Sequence, residues 1–211
     1  MVKLRYPLLF LLAIAGMGLA FFATQPQLPD QADYYPSGGR DINDFHLTDA
    51  NGQPFNPASL QRHWTFLFVG YTFCPDICPT TLADLRSVYD QLKQVAPSSQ
   101  VMFISADPQR DDSARLKSYT AFFHPEFKAA TGSHDKLFPF VRNLGLVYSI
   151  ADQGEKDYLV DHSASIVLIN PAGKLQAVFR PKIAPGAVPR VDMATMVSDF
   201  ARIVTLANNS D

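Results

Sequence analysis

Tyr71-Thr72-Phe73-Cys74-Pro75-Asp76-Ile77-Cys78-Pro79-Thr80-Thr81 contains both cysteines of the chain. On its N-terminal side lies an unbroken apolar run, Trp64 to Gly70 (WTFLFVG). On its C-terminal side Leu82, Leu85, Val88, Leu92 and Val95 recur at spacings of three and four, which predicts a helix with a core-facing stripe. A buried strand passing into a helix through a cysteine-bearing turn is the arrangement of thioredoxin-like redox motifs. Pro79 fits the first helical position, where a missing N–H costs nothing. The spacing is one residue longer than Cys-x-x-Cys. In near-helical geometry residues i and i+4 share a face, with Cβ atoms about 5–6 Å apart. Such a pair suits a disulfide or two thiolates converging on one metal ion. The plain alternative is two unrelated buried thiols, because free cysteine packs as a small hydrophobe. A proline after each cysteine and the lack of a third cysteine tell against it.

Outward from the motif, Val101 to Ala106 (VMFISA) reads as a second buried strand ending at Asp107-Pro108. Helical patterns over 112–123 and 134–144 flank a short strand near 127–131. Minor strands at 147–150 and 158–160 surround a polar loop, 151–157. Residues 165–169 and 175–179 form a hairpin around Pro171-Ala172-Gly173, and a closing helix spans about 189–206. Ahead of the motif, Asn51-Gly52 between alternating segments predicts another hairpin, 45–49 with 53–55. This order predicts an α/β, thioredoxin-like fold, a central mixed sheet with helices on both faces. Right-handed crossovers make the strands at 64–70 and 101–106 parallel. Cys74 and Asp107 then leave the same sheet edge, the carboxyl edge where α/β sites gather. In a thioredoxin-like order the strand at 165–169 runs antiparallel to these two and brings Asp161-His162-Ser163 to that edge. Cys74, Cys78 and His162 are therefore expected to meet.

Two thiolates and an imidazole are soft and borderline donors. They suit Cu(I), tolerate Cu(II) and are possible for zinc. A structural zinc site would want a fourth ligand and usually a Cys-x-x-Cys knuckle. A helix N-terminus beside the motif favours thiolate. Asp161 is a candidate acceptor for the other ring N–H of His162, although neighbours on an extended segment point apart. His46, His63, His124 and His134 read as ordinary surface or core residues. The five methionines are scattered, with none near the motif. Asp107 reads as a loop cap, and Arg110-Asp111-Asp112 as a solvated helix start that could equally be a partner-docking patch.

With 211 residues the chain suits one domain with appendages and can bury a sizeable core. A net charge of −2 leaves no nucleic-acid footprint. Two cysteines are too few for a disulfide scaffold. Lys3 and Arg5 precede an apolar run from Pro7 to Ala23. Its length is at the lower limit of about 17 residues for a membrane-spanning helix. A cleaved signal peptide is the alternative. The reading taken is an uncleaved anchor over 1–23, oriented by the positive-inside rule with the N-terminus cytoplasmic. Residues 24–41, rich in Pro, Gln, Gly and Asp, read as a flexible tether that reaches at most about 60 Å. Residues 42–207 form the domain. The expected location is the bacterial inner membrane, single-pass, with the domain in the periplasm.

The run Cys74-Pro75-Asp76-Ile77-Cys78-Pro79-Thr80-Thr81, followed far downstream by Asp161-His162-Ser163, resembles the SCO/SenC family of cytochrome c oxidase assembly proteins. The resemblance covers residues 42–205. It implies a membrane-anchored, thioredoxin-like protein that binds copper through Cys74, Cys78 and His162. The implied partner is cytochrome c oxidase subunit II. The family is implicated in delivering copper to its binuclear centre, or in reducing the cysteines of that centre. The main alternative is a thiol–disulfide oxidoreductase with Cys74 and Cys78 as the catalytic pair. Such enzymes usually carry Trp before the first cysteine, where this chain has Phe73. They also carry a cis-proline in the region where His162-Ser163 falls, and both departures favour metal. A peroxiredoxin signature would place Thr at position 71 and Pro at 67, where Tyr71 and Leu67 stand. A copper store or sensor with no oxidase client is a further alternative.

Overall fold

The computed structural model of the chain describes residues 10–12, 14–17, 27–150 and 157–209. In chain order the body contains strands β1 (Ala32–Tyr34), β2 (Leu47–Asp49) and β3 (Pro54–Phe55), then helix α1 (Pro57–Leu60) and β4 (Trp64–Gly70). Helix α2 (Ile77–Val95), β5 (Ser99–Ser105), α3 (Ser113–Phe123), β6 (Lys128–Thr131) and α4 (His134–Asn143) follow. The chain closes with β7 (Tyr148–Ile150), β8 (Val160–His162), β9 (Ile166–Ile169), β10 (Leu175–Phe179) and α5 (Met193–Asn208).

Eight strands make one mixed sheet in the order β1-β10-β9-β4-β5-β6-β2-β3, and β7 with β8 make a separate two-stranded ribbon. Every residue of β4 and β5 is buried, which explains why both segments read as continuous apolar runs rather than alternating ones. They pair in parallel, with Gly70 opposite Ser105. β9 is antiparallel to β4, with Ile166 opposite Phe68. Gly70, Ser105 and Ile166 thus share one edge, and the cysteine loop, the Asp107 loop and the His162 segment all meet there. Helices α2 and α5 pack side by side, and Phe200 of α5 meets Trp64 and Phe66 of β4 edge-on.

Three expectations change. Residues 32–34, inside the segment read as a flexible tether, form β1 and pair with β10. The buried Asp199 carboxylate accepts the backbone N–H groups of Asp30, Gln31 and Ala32 at 2.7, 2.9 and 3.1 Å. Arg202 pairs with Asp30, and Arg180 with Asp33. A three-residue edge strand held by such distant partners carries no periodicity that composition could reveal. Second, α2 begins at Ile77, so Pro79 is its third residue. Its N–H would still have been among the unpaired first four. Third, the closing helix starts at Met193, later than expected, behind an Asp192 cap that accepts from the Thr195 N–H. Of the apolar run over 7–23, residues 10–12 and 14–17 are helical, and the rest lies outside the described residues. Among the described residues no helix is long and apolar enough to cross a membrane.

Candidate metal centre

The centre is built at the end of β4. Gly70 closes that strand, and a Cβ there would stand 2.6 Å from Cys78 Sγ and 2.8 Å from Phe103 Cε2. Only glycine leaves room for the buried thiol. Cys78 lies in the first turn of α2, while Cys74 is half-buried in the loop before it. The side chain of Asp76, at the N-cap position, makes no capping bond. Instead the Cys78 N–H donates to Cys74 Sγ at 3.4 Å, so the sulfur takes up one of the orphan donors of the helix end.

The two thiols differ chemically. The hydrogen bond from the Cys78 side chain holds the Cys74 thiol down to about 4, against the opposing effect of burial. The backbone N–H groups of Asp76 and Cys78 add to it. Burial pushes the Cys78 thiol up, and the neighbouring Cys74 thiolate pushes it further. Without metal the pair is one thiolate and one thiol.

His162 ends β8. Its Nε2 lies 3.2 Å from Cys78 Sγ, and its Nδ1 lies 3.2 Å from the Ser163 carbonyl oxygen. A carbonyl only accepts, so that contact puts the ring proton on Nδ1 and turns the Nε2 lone pair toward the sulfurs. Ser163 O thus fills the role considered for Asp161, which is exposed; adjacent side chains on an extended strand point apart. Phe68 and Tyr71 meet the imidazole edge-on at 5.7 and 6.0 Å between ring centres.

Cys74 Sγ, Cys78 Sγ and the His162 ring nitrogen all lie within 4.8 Å of one another. Metal bonds of about 2.0–2.3 Å set donors about 4 Å apart around a three-coordinate ion, so a closure of under about 1 Å completes the set. Two sulfurs and one imidazole fit copper better than harder ions. The other histidines are placed elsewhere. His63 faces the Ser98 carbonyl, His124 packs on Tyr89 and Phe127, His134 meets the Tyr148 hydroxyl, and His46 is exposed near Asp44. A cleft of about 430 Å³ lined by Leu159, Asp161, Ala187 and Val188 opens beside Cys74. The centre is open to solvent on that side.

Asp111 and Arg110, read from sequence as a solvated helix start, are part of the framework. Asp111 is buried and accepts from the Thr72 N–H and hydroxyl and from the Ser105 hydroxyl, which pins the cysteine loop to the end of β5. Asp112 alone keeps the helix role, accepting from the Arg115 N–H ahead of α3. Arg110 pairs with the buried Asp107. Phe73 is 45% exposed between the guanidinium groups of Arg110 and Arg115, at 4.8 and 4.6 Å from its ring centre.

Residues 36–196 match the family described as SCO1/SenC. The chain belongs to the SCO1/SenC family. It is 41% identical over 133 residues to the mitochondrial SCO2 homolog of Mus musculus, a stretch covering 62% of this chain and 52% of the mouse protein. The chain thus spans about half of that relative's length. Its fold superposes on the crystal structure of Arabidopsis thaliana ScoI with copper bound at a TM-score of 0.66 and 27% identity, covering 80% of this chain and 99% of that one. Yeast Sco1 gives the same TM-score at 29% identity, covering 78% and 97%. The mixed sheet and its helices are those of the Sco structures, and copper is the metal those structures place in this family.

Proposed function

We propose that this chain is a copper metallochaperone that assists assembly of the binuclear copper centre of cytochrome c oxidase, carrying copper on Cys74, Cys78 and His162. The observation that carries the reading is the convergence of these three donors within 4.8 Å at one sheet edge, in a chain of this family. Copper is cargo here. Cys78 and His162 hold it from the inside, while half-buried Cys74 faces the cleft through which an acceptor's thiolate or imidazole would displace the chain's own ligands one by one. The acceptor we assign is subunit II of the oxidase.

A second reading, reduction of the acceptor's cysteines, is favoured by the asymmetry of the thiols. An accessible thiolate, Cys74, backed by a buried thiol, Cys78, is the order needed to attack a client disulfide and then resolve the mixed disulfide. The client disulfide would gain two electrons, one proton from Cys78 and one from solvent as Cys74 and Cys78 are joined.

In a strain lacking the chain, the oxidase should assemble without its binuclear copper centre. The intact gene should restore the centre, and the Cys74→Ser variant should not. Added copper salt should partly restore it if delivery is the role, whereas a thiol reductant alone should do so if reduction is. A normal copper centre in the deletion strain would remove both readings.

The placement we propose is a single N-terminal anchor over 1–23 in a bacterial inner membrane, with the copper domain in the periplasm. The apolar run and the basic residues ahead of it support this. A reporter that is active only outside the cytoplasm, fused after Asp211, should be active, and silence there would contradict the placement. With residues 30–34 docked on the body, the free tether is shorter than composition implies.

A further inference from the structure

We propose that Asp107, Arg110 and Tyr158 form a clasp that fixes the histidine-bearing strand against the cysteine loop and so sets the copper affinity of the centre; this rests on the copper reading above. The need for a clasp follows from the topology. Cys74 and Cys78 follow directly on β4 of the main sheet, Cys74 in the connection to α2 and Cys78 in the first turn of that helix. His162 has no such place, because among the described residues β8 pairs only with β7 and stands outside the eight-stranded sheet. The ladder that orders the thiols leaves the imidazole free of its register.

Three side chains bridge the gap. Tyr158, just ahead of β8, is buried and donates its hydroxyl hydrogen to Asp107 Oδ1. Asp107 is buried just past the end of β5, and its Oδ2 accepts from Arg110 Nε. The Arg110 guanidinium carbon stands 3.6 Å from the centre of the Tyr158 ring. The same carbon lies 4.8 Å from the Phe73 ring centre and 5.7 Å from that of Tyr71, both in the cysteine loop. One planar cation thus packs against both ligand-bearing segments, and one carboxylate orients both it and the tyrosine. A planar, delocalised guanidinium suits stacking on several rings, which an ammonium would not reproduce. Asp107, Arg110 and Tyr158 are positioning residues, since none of them offers an atom to the metal.

Groups that orient a ligand typically carry tenfold to hundredfold effects on metal affinity. The test uses the purified, reduced full chain and three variants. Tyr158→Phe keeps the ring under Arg110 and removes only the hydroxyl. Arg110→Lys keeps the charge and removes the planar stack. Arg115→Lys changes the other guanidinium on Phe73 and leaves Asp107 alone. In a Cu(I) competition titration the first two should weaken binding about tenfold each, and Arg115→Lys should match the parent. With Cu(II), nitrogen hyperfine coupling from His162 should fade in the first two variants. Without copper, the nuclear Overhauser contact between the His162 ring and the Cys78 β-protons should be lost in both and kept in Arg115→Lys. Loss of that contact in a chain that binds no copper would sustain the clasp and sink the copper reading. Parent-like contact in Tyr158→Phe and Arg110→Lys, or parent-like copper affinity with unchanged nitrogen coupling, would overturn the clasp.

Discussion

Cys74→Ser or Cys78→Ser should abolish tight copper binding by the reduced protein, a loss on the order of a thousandfold or more, because each removes a soft thiolate for which a hydroxyl is no substitute. The two losses have different structural costs. Cys78 is buried with its sulfur against Gly70, so serine there also leaves a polar group in an apolar pocket. Cys74 is half-buried in the loop, so its serine variant should fold like the parent and is the cleaner test. His162→Ala should weaken binding less and leave the fold intact, since two sulfurs remain. His124→Ala, at an aromatic cluster with Tyr89 and Phe127 away from the donors, should leave copper affinity unchanged. Competition against a chromophoric Cu(I) chelator checks all four. Parent-like affinity in His162→Ala would remove the imidazole from the ligand set.

The second large effect is exclusion of copper by oxidation. Both thiols are free in the structure, and their sulfurs lie within 4.8 Å, so a modest side-chain rotation brings them to bonding distance. Transfer of two electrons and the Cys78 proton to a disulfide oxidant, which takes its second proton from solvent, joins them. The joined sulfurs offer no thiolate, and one imidazole alone is a poor copper site. The oxidised chain should therefore bind copper at least about a hundredfold more weakly, and reductant should restore binding. The pH dependence follows from the split thiols. Cys74, held down to about 4 by its hydrogen bond from Cys78, is already a thiolate at neutral pH. Cys78, pushed up by burial, keeps its proton until the metal displaces it. Binding then releases the Cys78 proton, and affinity should fall about tenfold for each unit of acidification between pH 8 and 5. In the copper-free protein Cys74 should react with iodoacetamide at pH 6 while Cys78 does not, and bound Cu(I) should protect both. A pH-independent affinity would mean that no proton leaves the site on binding.

Much of this centre was legible in the sequence because its determinants are local or topological. β4 declares itself as the seven-residue apolar run Trp64 to Gly70 and β5 as the run Val101 to Ala106, although that strand starts two residues earlier, at Ser99. The chain order alone then carries three distant donors to one edge. What stayed hidden depends on partners that only the fold supplies. Arg110-Asp111-Asp112 has the composition of a solvated turn, yet Asp111 serves Thr72 from 39 positions away. Gly70 gives no signal, because the requirement arises from the approach of Cys78 Sγ. β1 escaped notice because its anchor, Asp199, lies 167 to 169 positions downstream of the N–H groups it holds. The acceptor for the His162 ring is a main-chain carbonyl, which no side-chain pattern reveals.

The copper assignment is tested most directly by X-ray absorption at the copper K-edge of the reduced chain loaded with one equivalent of Cu(I). The spectrum should fit three donors, two sulfurs and one imidazole nitrogen, with the nitrogen contribution lost in His162→Ala. A first shell without sulfur, or with a single sulfur, would contradict a centre built on Cys74 and Cys78.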